Sequence, residues 1–353
     1  MSNTQKKNVP ELRFPEFEGE WEEKQLGNII KVNSGKDYKH LDKGDIPVYG
    51  TGGYMTSVSE PLSEIDAVGI GRKGTINKPY LLEAPFWTVD TLFYCTPKKE
   101  TDILFILSLF RKINWKVYDE STGVPSLSKQ TINKINRFVP TNKEQQKIGK
   151  FFSKLDRQIE LEEQKLELLQ QQKKGYMQKI FSQELRFKDE NGNDYPDWTN
   201  ERLGEVTTVT MGQSPKSVNY TDNSNDTVLI QGNADIENGL INPRIYTREV
   251  TKLIQKDEII LTVRAPVGKL AMAQINACIG RGVCSIKGDK FLYYFLEWFA
   301  TQNKWIRFSQ GSTFESISGN DIRNIHIKIP VEDERTKIIK LLNSLDVLNS
   351  KTD

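Results

Sequence analysis

Residues Thr141 to Ser182 read TNKEQQKIGKFFSKLDRQIELEEQKLELLQQQKKGYMQKIFS. Within this stretch Ile148, Phe152, Leu155, Ile159, Leu166, Leu169, Tyr176 and Ile180 recur at alternating spacings of four and three, and only Glu162 and Lys173 interrupt the series. An apolar residue every 3.5 positions is the seam of a coiled-coil helix. The seam covers about 33 residues, so at about 1.5 Å per residue it forms a rod roughly 50 Å long. The faces away from the seam, as in Leu161 to Lys174, are rich in Glu, Gln and Lys. A solvated amphipathic helix lying on its own domain would share these faces. What separates that reading from a spacer between two globular units is whether the flanking sequences are related.

They are related. Leu127, Ser128, Ile132, Ile135, Pro140, Glu144, Ile148, Leu155 and Asp156 return as Ile317, Ser318, Ile322, Ile325, Pro330, Glu334, Ile338, Leu345 and Asp346, every pair offset by 190. Upstream, Glu11-Leu12-Arg13-Phe14, Trp21 and Leu26-Gly27 return as Glu184-Leu185-Arg186-Phe187, Trp198 and Leu203-Gly204. The chain is two repeats, each a globular segment followed by a helix.

A chain of 353 residues is long enough for two domains with real cores. Lys and Arg number 49 against 47 Asp and Glu, so any acidic partner must be met by local rather than overall positive charge. The three cysteines, Cys95, Cys278 and Cys284, form no even framework, and the cytoplasm is the expected compartment. No apolar run approaches the ~20 residues that cross a bilayer, and the polar start from Met1 to Pro10 resembles no signal peptide.

From Leu12 to Trp21 the chain is aromatic, acidic and too punctuated for a helix. Short strands are expected at Ile29 to Val32, Ile46 to Tyr49, Ala67 to Ile70 and Trp87 to Tyr94, separated by Asn33-Ser34-Gly35, Gly50 to Gly53 and Gly71 to Gly74. One helix is expected over Asp102 to Tyr118. After a loop at Gly123 to Ser128, a short helix and a strand occupy Leu127 to Pro140. The second repeat follows the same plan, with strands from Val206 to Ile286, a helix from Phe291 to Phe308 and a loop at Gln310 to Ser316.

Gly69-Ile70-Gly71-Arg72-Lys73-Gly74 matches a dinucleotide-binding fingerprint, but that motif needs a helix to open after it, and Thr75 to Pro79 reads as strand or turn. The only histidines, His40 and His326, lie in different repeats, which leaves little for a histidine triad or a zinc cluster. Cys278 and Cys284 have five residues between them, outside zinc-finger spacing, and are expected in strands. Glu22-Glu23-Lys24 reads as a charged surface turn. No catalytic residue and no metal ligand is assigned. Loops dominate instead, as expected where binding is the task.

Those loops mix glycine with side chains suited to DNA. In the first repeat the candidates are Lys36, Lys39, Thr51, Tyr54, Arg72 and Lys73; in the second they are Gln213, Ser214, Lys216, Arg264, Lys269 and Arg281. Arg pairs bidentately with guanine and Asn or Gln with adenine, whereas Lys and Ser suit the phosphate backbone. Taken singly, each is also an ordinary surface-turn residue.

The duplicated plan, the Ser121-Thr122-Gly123-Val124-Pro125-Ser126-Leu127-Ser128 loop, the run Pro140, Glu144-Gln145, Ile148, Leu155-Asp156, and the segments Arg264-Ala265-Pro266-Val267-Gly268 and Ile279-Gly280-Arg281-Gly282-Val283 resemble specificity subunits of type I restriction-modification systems. The resemblance covers nearly the whole chain. It implies an α+β protein in which two α/β target-recognition domains are joined by long conserved helices that pair as an antiparallel coiled coil. Target-recognition domain 1 is expected over 1–140, the central spacer helix over 141–182, target-recognition domain 2 over 183–330 and a short or truncated C-terminal helix over 331–353. Each domain would read one half of a bipartite site in double-stranded DNA. The chain itself would be non-catalytic and bind no cofactor; methyltransferase subunits, two of them, would use S-adenosylmethionine, and restriction-translocase subunits would use ATP and Mg. The second seam, Ile338, Leu342 and Leu345, covers only about two heptads before Asp353, so much of the central helix from Leu166 onward is expected to lack an intramolecular partner.

Overall fold

The structure, a computed structural model, describes residues 8–305 and 316–350. It divides into two compact units, the first reaching Leu161 and the second beginning at Glu162. The division falls inside one helix, so each half of that helix belongs to a different unit.

The first unit comprises β1 (Glu22–Gln25), α1 (Leu26–Ile29), β2 (Ile30–Ser34), β3 (Ile46–Gly50), β4 (Gly53–Val58), β5 (Ala67–Gly71), β6 (Tyr80–Leu82), β7 (Trp87–Thr88), β8 (Leu92–Pro97), α2 (Ile103–Lys112), α3 (Lys129–Lys134), β9 (Asn136–Val139) and the first half of α4 (Asn142–Phe181). A four-stranded sheet runs β2-β8-β5-β6 and a three-stranded sheet β4-β3-β7. In β2, Ile30 and Val32 are buried while Lys31 is exposed, the period of a half-buried strand. The central β5 is buried at every position, which is why its sequence is continuously small and apolar. Phe105, Ile106 and Phe110 of α2 pack on this sheet with Trp115.

Two expectations change here. The helix expected to run to Tyr118 stops at Lys112, because Ile113 turns extended and the Trp115 indole folds back to donate to the Phe110 carbonyl at 2.8 Å; Trp115–Tyr118 then forms a 3-10 turn. Its start is set by Asp102, whose carboxylate accepts from the Phe105 N–H. Glu22-Glu23-Lys24 forms no turn but lies in β1, antiparallel to β9 from Glu22 opposite Val139 to Gln25 opposite Asn136.

The second unit comprises the rest of α4, β10 (Thr199–Arg202), α5 (Leu203–Val206), β11 (Val209–Met211), β12 (Tyr220–Thr221), β13 (Thr227–Ile230), β14 (Ile236–Glu237), β15 (Leu240–Ile241), β16 (Tyr246–Thr247), β17 (Leu253–Ile254), β18 (Ile259–Thr262), β19 (Leu270–Met272), β20 (Ala277–Ile279), β21 (Val283–Ile286), α6 (Lys290–Thr301), a short helix at Gly319–Arg323, β22 (His326–Ile329) and a helix at Glu332–Ser350. Its four-stranded sheet, β11-β21-β18-β19, repeats the first unit's β2-β8-β5-β6. Cys278 and Cys284 lie in β20 and β21 as expected, and burial pushes the Cys284 thiol up to about 12. Most of the expected loop at Gln310 to Ser316, and the end of the helix expected to reach Phe308, lie outside the described residues; α6 ends at Thr301.

A clasp appears once in each unit. Arg13 donates from Nε and Nη2 to the two oxygens of Glu144, both at 2.7 Å, and Trp21 Nε1 donates to the same carboxylate at 3.2 Å. Arg186 and Trp198 hold Glu334 in the same way, at 2.8, 2.9 and 2.9 Å. The two carboxylates are 1% and 0% exposed, and the fork of donors supplies the hydrogen bonds that burial takes away from water.

The heptad seam is continuous as a helix but is buried where the sequence led us to expect exposure. Met177, Ile180 and Phe181 of α4 join the second unit's core with Ile338, Leu342 and Leu345, and Tyr176 packs against them. Lys173 meets Asp346 at 2.7 Å while Arg186, further along, meets Glu334, so the two segments run antiparallel. Leu166 and Leu169 are half-buried. The exposed stretch is the earlier one: Phe152, Leu155 and Ile159 are 45%, 40% and 58% exposed, while Ile148 packs on the first unit's core. The two heptads of the Glu332–Ser350 helix are placed by the Arg186 clasp beside the end of α4.

Candidate nucleic-acid interface

In the first unit the loops carrying the candidate residues are tied together by one turn, Val89–Leu92, in which the Leu92 N–H donates to the Val89 carbonyl at 3.0 Å. The end of β2 reaches it through Gly35 N–H to the Leu92 carbonyl and Lys36 N–H to the Thr88 carbonyl. The β3–β4 hairpin reaches it through Val89 N–H to the Tyr49 carbonyl, and the loop after β5 through Arg72 N–H to the Thr91 carbonyl. A Cβ on Gly35 would lie 2.0 Å from the Val89 carbonyl oxygen, which is why glycine stands there.

The second unit builds the same junction around Gly280–Val283, closed by Val283 N–H to the Gly280 carbonyl at 3.2 Å. Gly212 N–H meets the Val283 carbonyl, Gln213 N–H the Ile279 carbonyl, Gly280 N–H the Ile230 carbonyl and Val263 N–H the Gly282 carbonyl. A Cβ on Gly212 would lie 2.1 Å from the Gly280 carbonyl oxygen. Bridges from Lys73 to Ser126 and from Arg264 to Ser316 complete the correspondence. Lys36 therefore stands where Gln213 stands, and Lys73 where Arg264 stands.

Ser214, Lys216, Arg264 and Arg281 converge on a concavity of about 650 Å³ that Tyr220, Gln231 and Asn233 also line. Arg264 and Arg281 are exposed, and their guanidinium groups have no partner among the described residues. The Lys216 loop is held by Glu249, which accepts from the Lys216 N–H at 3.1 Å and from the Asn219 amide; these bonds hold the Glu249 carboxyl below its ordinary value. Gln213 lies beside the concavity but does not line it. Lys269 is turned inward, donating to the Asn233 and Ile236 carbonyls at 3.3 and 2.5 Å, so it braces the loop that Asn233 begins.

In the first unit Lys36, Lys39 and Lys73 are exposed and Arg72 is half-buried, with its guanidinium 5.9 Å from the Phe93 ring centroid. Thr51 sits in the hairpin turn, and Tyr54 stacks edge-on to Tyr49 and shares a hydrogen bond with Ser57. Tyr220 was missed because it stands in no glycine-rich loop beside a cation. The Gly69–Gly74 segment leads from β5 into a turn, where the Gly74 N–H donates to the Pro125 carbonyl, and not into a helix. Among the described residues no His, Cys, Asp or Glu group could hold a metal ion, and no helix is long and apolar enough to cross a membrane.

Comparison with known proteins agrees with this duplicated plan. The family described as the type I restriction modification DNA specificity domain matches twice, over residues 18–171 and 195–352. A putative type I restriction enzyme MjaX specificity subunit of Methanocaldococcus jannaschii is 30% identical over 261 residues, 70% of this chain and 61% of that protein. The MjaVIII specificity subunit of the same organism is 25% identical over 312 residues, 81% of this chain and 71% of that protein. The chain thus spans about three fifths of the first relative's length. Among solved structures, a type I restriction-modification S subunit from M. genitalium superposes with a TM-score of 0.67 at 16% identity, covering 98% of this chain and 97% of that one. A chain from a study of assembly and conformational transition of the type I restriction-modification system gives 0.57 at 18% identity, covering 97% and 94%. At these identities the two structures support the fold alone.

Proposed function

The chain belongs to the type I restriction-modification DNA specificity family, and on that premise we propose that it is the DNA-reading subunit of such a complex. Each unit reads one half of a bipartite asymmetric site in double-stranded DNA, and the helices set the unread gap. The observation that carries this reading is the junction of loops built twice on one hydrogen-bond frame with different side chains at matching points, Lys36 against Gln213 and Lys73 against Arg264. One scaffold with two chemistries suits two half-sites, since cations fix the register on phosphates and the differing side chains meet base edges.

The chain carries no chemistry of its own in this account. Methyltransferase subunits, two per chain, dock on it and methylate adenine with S-adenosylmethionine, and restriction-translocase subunits join them with ATP and Mg. The test is a methylome: the chain is co-expressed with its methyltransferase subunit in a methylation-free host, and modified adenines are mapped. A single split motif with a fixed gap is expected. An assembled complex that methylates no defined motif, or one continuous motif, would contradict the reading.

A further inference from the structure

The two junctions carry side chains of opposite charge at one equivalent point. In each four-residue turn, the residue after the first carbonyl acceptor is Asp90 in one unit and Arg281 in the other. The equivalence comes from the bonds: Val89 and Gly280 both donate to the end of the neighbouring parallel strand, at Tyr49 and Ile230, and Leu92 and Val283 both close the turn. Both side chains are exposed, and neither has a partner among the described residues for its charged group. Lys36 and Arg72 stand on loops bonded to the Asp90 turn, and Lys216 and Arg264 share the Arg281 concavity.

Resting on the function proposed above, we infer that this turn is the shared base-reading position of both units, with Arg281 reading a guanine and Asp90 reading an exocyclic amino group of cytosine or adenine. A carboxylate among cations on a DNA-facing surface is repelled by phosphate, so the flanking cations take the backbone and the carboxylate is left to accept from a base amino donor. Guanidinium at the same point matches the paired acceptors of guanine O6 and N7. One backbone frame thus presents an acceptor in one half-site and a donor fork in the other.

The test is the methylated motif of Arg281→Ala and Asp90→Ala chains, each assembled with the methyltransferase subunit. Arg281→Ala is expected to make one guanine degenerate in one half-site, with discrimination there falling about 5- to 150-fold. Asp90→Ala is expected to do the same at one cytosine or adenine of the opposite half-site, and the base that relaxes identifies which amino group is read. The gap stays unchanged in both. If a variant methylates too weakly to yield a motif, competition binding with duplexes substituted at that base pair reads the same discrimination. An intact wild-type split motif with unchanged variants, or two variants relaxing the same half-site, overturns the assignment. A wild-type complex with no split motif contradicts instead the function on which it rests.

Discussion

Leu155 and Leu345 stand at matching points of the repeat, yet one is 40% exposed and the other 6%; their neighbours Phe152 and Leu342 differ more, 45% against 0%. The register of the seam is the same in both helices, so the difference lies in what each helix meets. The Glu332–Ser350 helix faces the end of α4 and α6, and its seam is sealed by Tyr176, Met177 and Ile180. The start of α4 touches its own unit through Ile148 and through Gly149, where a Cβ would lie 2.6 Å from an Asp102 carboxylate oxygen, and leaves the next two heptads uncovered. Asp156 and Asp346 diverge in the same way. Asp156 pairs with Arg111 at the surface, whereas Asp346 accepts from Tyr294 Oη at 2.6 Å and meets Lys173 inside a network with Glu297. A repeated sequence therefore fixes where a seam lies along the helix, and the neighbour decides whether it is core.

The clasps are alike in both units, and their loss should cost most. Glu144→Ala and Glu334→Ala each remove a buried carboxylate that ties an arginine and a tryptophan N–H to the helix start, and each is expected to give the largest loss of stability in its own unit. Denaturant unfolding should give the same loss for both; a loss confined to one would mean that the clasps are alike in geometry only. The seam leucines should separate instead. Leu345→Ala is expected to cost about 2 to 5 kcal/mol, as for a buried leucine, and Leu155→Ala less than about 1 kcal/mol, measured in the same unfolding experiment. Equal costs would show that the exposed stretch is covered in solution.

Lys173→Met probes the charged point in the seam. Burial raises the Glu297 carboxyl above its ordinary value of 4.5, and Lys173 only partly opposes this. A raised acid pKa means that ionisation costs the folded state, so this group's stability contribution falls as pH rises from 4.5 through the folded value. For Lys173, burial favours the neutral amine, but the Glu297 and Asp346 carboxylates outweigh it and hold the ammonium above its ordinary value of 10.5, so its contribution is fully present across neutral pH. Removing the ammonium leaves the buried Glu297 carboxyl to ionise with no cation beside it. The variant is expected to lose about 2 kcal/mol at pH 8 and clearly less near pH 4.5, read as urea midpoints. A loss independent of pH would assign Lys173 a packing role only.

Much of this was legible before any coordinate. The 190-residue offset paired Ser128 with Ser318 and Glu144 with Glu334, because those positions keep the same chemistry in both repeats; that the serines cap helices and the glutamates anchor clasps shows only in the fold, where their partners come from other segments. The strand clusters were legible from apolar runs punctuated by glycine. The equivalence of Asp90 and Arg281 was not, since the fixed offset pairs Asp90 with Gly280 and only strand register moves it by one residue. Lys269 looked like a loop cation because its two carbonyl partners lie more than 30 residues away in sequence. Nor does periodicity say which half of a seam is covered, because that depends on the clasp that seats the other helix.

Whether the two units are one scaffold carrying independent readouts can be read from the methylome of a chain in which Leu203–Ile317 replaces Leu26–Leu127. Both junctions join equivalent residues, Leu26 with Leu203, whose N–H groups donate to Ile135 and Ile325, and Leu127 with Ile317, whose N–H groups donate to Arg72 and Val263. The expected motif has the second unit's half-site twice around an unchanged gap. An assembled, active complex that still methylates the original first half-site would contradict it.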